Sequence, residues 1–149
     1  MAEIKNEAAF RQALGGLALA DQRKAGALFV RAVLPLIDDE RVTGAVEVAA
    51  KGGSDEALAA AFQGARRASI DWHTRCGAEG DWKEQAAYFV ARAAAACVAP
   101  PGHVKSGNPA WQAAVNARMA RTSVAIDEDG TAVRENEAQY RLLGEFLKA

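Results

Sequence analysis

The sequence holds only two cysteines, Cys76 and Cys97, among 149 residues. They stand far apart in a chain long enough to fold without covalent staples, which excludes a disulfide scaffold and predicts two reduced thiols. Proline is as scarce, at four residues, and 13 glycines fall in no three-residue period, so a collagen-like chain is excluded. No sign of charge dominates: 18 basic and 19 acidic residues leave a formal charge of -1. Nothing global therefore draws nucleic acid or anionic lipid. The longest uninterrupted apolar run, Ala93 to Pro101, is far shorter than the roughly 20 residues that span a bilayer. The first ten residues carry Glu3, Lys5 and Glu7 and no apolar stretch behind a basic cluster, which is not the pattern of a signal peptide. The expected compartment is the cytoplasm.

What the chain has in abundance is alanine, at 36 of 149 residues. Alanine is the best helix former, and this excess argues against a β-sandwich. Half of the residues are hydrophobic and a quarter charged, with a mean hydropathy of -0.12, so one core and a wet exterior are both provided for. The length suits one domain over residues 1–149.

Helical periodicity and helix punctuation agree along the chain. A first short helix is predicted over Ile4 to Leu14, ended by Gly15 and Gly16. Asp21 is read as the cap of a second, whose stripe is Ala25, Leu28, Phe29, Ala32, Val33 and Leu36, with Pro35 kinking or ending it. Asp38 and Asp39 suit the start of a third helix, which runs on Val42, Ala45, Val46 and Ala49 to Lys51 and stops at Gly52 and Gly53. Ser54 caps a fourth, reaching Gly77 through Leu58, Phe62, Ala65, Ala68 and Trp72. Asp81 followed by Glu84 has capping-box spacing and opens a fifth, which must stop before Pro100 and Pro101. Asn108 and Pro109 open a sixth through Val124, Asp127 to Gly130 read as a tight turn, and a last helix covers Ala132 to Leu147. The predicted fold is all-α, a compact bundle of six or seven mostly antiparallel helices. Small inward side chains should let these helices approach closely.

The segment from Arg31 to Leu58, RAVLPLIDDERVTGAVEVAAKGGSDEAL, resembles an alanine-rich all-helical bacterial domain. The likeness continues through the fifth helix and the Asn116-Ala117-Arg118 helix to Gln139-Tyr140-Arg141-Leu142-Leu143. More distantly, the chain is similar to an immunity-protein family of bacterial polymorphic toxin systems. That resemblance implies a non-enzymatic protein that binds and neutralises a toxin. Trp72-His73-Thr74 and the Pro100 to Asn108 loop depart from the pattern, and individual specificity is expected there.

His73, Cys76, Cys97 and His103 supply the ligand types of a zinc site, but without a tight C-x-x-C pair. Cys97 in an alanine run reads first as a small buried hydrophobe, and no metal or other cofactor is expected. Cys76 with His73 three residues before it could form a thiolate pair, though no oxyanion-hole loop is legible beside it. A calcium loop at Asp127-Glu128-Asp129-Gly130 fails on register, since Gly130 at position six puts Ala125 at position one and Asn136 at position twelve. Gly15-Gly16 and Gly52-Gly53 follow no strand and so are not phosphate loops.

Arg66, Arg67, Arg75, Arg92, Arg118 and Arg121 could make a basic strip, yet with balanced charge they read as solvated faces and ion-pair rims. Glu40, Arg41 and Glu47 likewise read as cap and ion-pair residues, and Arg41 is the arginine to expect buried if one is. Arg41, Trp72, His73, Trp82, Tyr88 and Trp111 are the candidate binding residues, because rings and guanidinium groups anchor interfaces. The expected function is binding of a protein partner, with no enzyme activity, no nucleic acid and no membrane. Exposed alanine stripes would also allow a homodimer. A small-molecule binder would instead gather Trp72, Tyr88 and Trp111 around one enclosed pocket.

Overall fold

A computed structural model describes residues 3–77, 81–104, 107–124 and 131–148, with the side chains of 131–133 excepted. Seven helices follow one another among these residues: α1 (Glu7–Gly15), α2 (Leu19–Arg31), α3 (Glu40–Lys51), α4 (Asp55–Cys76), α5 (Trp82–Val98), α6 (Pro109–Val124) and α7 (Thr131–Lys148). A 3-10 turn, Leu34–Leu36, carries Pro35 between α2 and α3, and no strand occurs among the described residues. The predicted Asp127 to Gly130 turn lies outside the described residues.

Most helix starts follow from one side chain that accepts a free backbone N–H. Asp39 accepts from Arg41, Ser54 from Ala57, and Asp81 from both Lys83 and Glu84. Asn108 accepts from the amide of Trp111, one residue ahead of the helical Pro109. Two starts differ from the sequence expectation. Asn6, whose Oδ1 accepts from Ala9, begins α1 at Glu7 rather than Ile4, which lies ahead of the helix and packs on the core. Ala18 occupies the cap position of α2 with no side-chain bond, so Asp21 sits in the first turn, where its charge faces the positive end of the dipole. At the other end of α3, Gly52 has φ +75° and its amide returns to Val48, a left-handed stop.

Two buried clusters result. The larger joins Val30, Val42, Val46, Ala65, Val90, Ala94, Cys97 and Ala117, drawn from α2 to α6. The smaller joins Phe10, Leu14, Phe29, Ala114 and Leu143, drawn from α1, α2, α6 and α7. Helix α5 packs against α2, α3, α4 and α6, and from Ala86 onward only Arg92 is exposed. An alanine-built helix is suited to that place, since it presents little bulk to any neighbour. Gly26 of α2 shows how close the helices come, because a Cβ there would lie 2.9 Å from Cys97 Sγ.

Contacts along the helices fix their directions. His73 late in α4 meets Tyr88 early in α5, while Phe62 meets His103 beyond the end of α5, so these helices are antiparallel. Arg118 and Arg121 of α6 reach Gln139 and Glu135 of α7 in reverse order, with the same meaning. Helices α2 and α6, which are not consecutive, run parallel: Gly26 lies by Ala110 and Ala113, and Arg121 bonds the carbonyl of Ala32. Guanidinium groups also close two helix ends across the bundle. Arg121 donates to the Ala32 carbonyl after α2, and Arg23 to the Ala99 carbonyl after α5, each at 2.9 Å.

Candidate functional site

The six candidate binding residues fall in separate places. Arg41 and Trp72 meet at Asp39, the cap of α3. The Arg41 guanidinium donates to both carboxylate oxygens of Asp39, and Trp72 Nε1 adds a third side-chain bond at 3.0 Å. Arg41 also donates to Asp71 at 2.7 Å, which ties α3 to α4. These bonds hold the Asp39 carboxyl below the usual carboxylate range, Arg41 contributing most. Arg41, expected as the buried arginine, keeps 35% of its side chain exposed, whereas Arg118 keeps 14%. The reason is position: Arg41 lies at the outer end of a helix pair, and Arg118 lies under α1 and α7.

Trp111 belongs to that second environment. With Phe10 it flanks the Arg118 guanidinium, which donates two bonds to Glu7 and one to Gln139. Bonding by Arg118 lowers the Glu7 carboxyl, and burial raises the neighbouring Tyr140 phenol. Trp111 thus packs against the small cluster, and Trp72 against the large one, so the structure does not bring Trp72, Tyr88 and Trp111 together. Trp82 stands in solvent at the start of α5, with 48% of its surface exposed.

The histidines and cysteines are dispersed. His73 stacks on Tyr88 at 4.9 Å, Cys76 Sγ lies 3.9 Å from the Asp81 carbonyl, and His103 meets the edge of Phe62. Cys97 is fully buried against α2, and burial pushes its thiol up to about 12. No group of three or more His, Cys, Asp or Glu could hold a metal among the described residues.

What the structure does assemble is an open trough of about 230 Å³ over α5, walled by α4 and α6. Its floor is Ala95, Ala96 and Ala99, one side carries Phe62, Arg66 and Ser69, and the other carries Gln112 and Asn116. Arg92 stands at one end and His103 at the other, and no carboxylate lines it. Beyond Arg92 the row continues, since that guanidinium donates to Tyr88 Oη at 3.3 Å and Tyr88 stacks on His73.

Eight of the twelve arginines show two kinds of surroundings. Arg31, Arg41, Arg118 and Arg121 each meet a carboxylate. Arg66, Arg67, Arg75 and Arg92, on α4 and α5, meet none among the described residues; Arg75 lies over Trp72 and Arg92 over Tyr88. Of the six arginines that could make a basic strip but read as solvated faces and ion-pair rims, Arg118 and Arg121 are in ion pairs, and Arg66, Arg67, Arg75 and Arg92 are exposed. A second open groove, of about 460 Å³ beside α7, mixes Lys5, Arg141 and Lys148 with Glu3, Glu137 and Glu145 and has no charge bias. The trough residues Phe62, Ala95 and Asn116 carry no signal in the sequence that separates them from ordinary core positions. Compared with known protein families, curated proteins and solved structures, the chain matches none. No helix among the described residues is long and apolar enough to cross a membrane.

Proposed function

We propose that the chain is a non-catalytic binding protein whose working surface is the face where α4 and α5 lie side by side, and that its partner is another protein. The observation that carries this reading is the row of Arg66, Arg92, Tyr88 and His73, in which the two guanidinium groups and the imidazole are exposed, the phenol is half-buried, and no carboxylate among the described residues pairs with the arginines. Such groups anchor interfaces because a planar cation or a ring covers much area at little conformational cost. Exposed Ile70, with 57% of its surface in solvent, and Trp82 add apolar area at the same end of the bundle. Catalysis is the weaker reading, since His73 engages Tyr88 and not Cys76, and Cys97 is shut in the core. The sharpest form is the toxin-neutralising role that the sequence resemblance implies.

The test is to search the neighbouring genes for a toxin domain, whose absence would refute the toxin-neutralising form, to express the chain with any such domain, measure cell survival, and measure the affinity of the purified pair by calorimetry. Survival and a complex that Arg66→Glu with Arg92→Glu weakens by about a hundredfold are expected, like charges being opposed across the contact. No protection, or a tight complex indifferent to both reversals, would refute the proposal.

A further inference from the structure

The trough has a shape and a charge that specify more than a generic surface. From Arg92 to Ala99 it follows α5 for seven residues, about 10 Å at 1.5 Å per residue, which is the reach of roughly three residues of extended chain. The alanine floor leaves room for a backbone to lie on α5. Arg66 has no ion pair or side-chain hydrogen bond among the described residues, and Arg92 has only the neutral Tyr88 hydroxyl as partner. Ser69 gives its hydroxyl to the Arg66 carbonyl, and Asn116, 4% exposed, gives its Nδ2 to the Gln112 carbonyl. Arg66 and Arg92 are thus left without an anionic partner among the described residues, with His103 held at the far end against Phe62. A guanidinium with no anionic partner of its own matches a carboxylate in both charge and bonding geometry.

We infer that this trough takes a short acidic segment of the partner protein, laid extended along α5 with one Asp or Glu carboxylate between Arg66 and Arg92. The inference rests on the protein-binding reading above and narrows it to one chemistry. Charge complementarity selects the occupant: a basic or neutral segment would bury two unpaired cations, and a second copy of this face would oppose like charges.

The experiment uses a capped five-residue Asp/Glu peptide carrying fluorescein, its Asn/Gln counterpart, and inorganic phosphate, with the whole chain. Anisotropy gives affinity, and amide shifts in the nuclear magnetic resonance spectrum locate the site. The acidic peptide should bind, shifting Ser69, Ala95, Ala99 and the Asn116 side-chain amide, and the neutral peptide should not. Arg66→Gln and Arg92→Gln should each weaken binding about tenfold. Ala95→Phe should abolish it by filling the floor. Arg67→Gln, the same charge change on the outer face of α4, should leave it within about twofold. Both arginines are exposed, so their variants decide the matter even if the larger residue at 95 unfolds the chain.

Equal loss from Arg67→Gln, shifts centred elsewhere, or no binding of the acidic peptide would overturn the inference. So would phosphate binding as tightly as the peptide at the same residues, since the site would then suit a free oxyanion. A partner protein bound at this face while the peptide is ignored would sink the trough and spare the broader reading. Peptide bound in the trough with no protein partner found would do the reverse.

Discussion

Gly26 lies within α2, where alanine would normally add about 1 kcal/mol of helix stability. Here the added Cβ would sit 2.9 Å from Cys97 Sγ, 3.4 Å from Ala113 Cβ and 3.5 Å from Ala110 Cα. All three neighbours are fully buried, so none can swing aside, and α2 must part from α5 and α6. Overpacking of this kind costs about 1–3 kcal/mol, so Gly26→Ala should fall between about neutral and about 2 kcal/mol less stable once the helix gain of about 1 kcal/mol is taken off. Gly44 provides the comparison, for it is exposed in α3 with nothing within 4 Å of a built Cβ. Gly44→Ala should gain about 0.5–1 kcal/mol. Urea unfolding followed by circular dichroism would separate the two, and each kcal/mol corresponds to about 2–4 °C in melting temperature at this size. Cys97→Ala in the Gly26→Ala background should restore about 1 kcal/mol through coupling, because the new methyl group occupies the vacated sulfur position. If Gly26→Ala proves as stable as Gly44→Ala, or the double variant is additive, the close approach of α2 to α5 is not as described.

Three further outcomes follow from the polar ties and the thiols. Arg118→Gln should lose about 1–3 kcal/mol in the same unfolding assay, since Glu7 loses its partner and the fully buried Gln139 loses the donor to its Oε1. Glu7 and Asp39 both titrate below their ordinary values of 4.5 and 3.8, so their contribution is complete above those values and disappears as pH falls through the lower folded ones. A plot of unfolding free energy against pH should therefore drop in that acid range, and Arg118→Gln should shallow the drop. In native protein at pH 8, a thiol reagent should titrate Cys76, which is partly exposed, and reach Cys97 only after unfolding, given its burial and raised thiol. Two fast thiols would contradict the placement of Cys97.

Local signals proved the most legible part of the sequence. Asp39, Ser54, Asp81, Asn108 and Gly52 act within four residues of themselves, so their roles could be read without knowing any tertiary neighbour. Asp21 misled because Ala18 can hold the cap position without a side-chain bond once tertiary packing fixes where α2 begins. Long-range facts were hidden for a different reason. Arg41 and Arg118 look alike in sequence, and only the arrival of Glu7 from 111 residues away decides which is enclosed. The trough was hidden in the same way. Alanines 95 and 99 resemble their neighbours 93 and 94, and which of them lines a groove depends on where α4 and α6 diverge. Nor could spacing show that Arg66 pairs with no carboxylate among the described residues, because that depends on acids elsewhere in the chain.

The separation of the arginines into those that meet a carboxylate and those that do not has a consequence for how this molecule can change over evolutionary time. Arg41, Arg118 and Arg121 hold helices together, so any drift at these sites is checked by the need to stay folded. Arg66 and Arg67 are exposed and make no ion pair or side-chain hydrogen bond among the described residues, so their replacement should leave the bundle intact. Substitutions at these two positions of α4 can therefore accumulate without first gathering compensating changes in the interior.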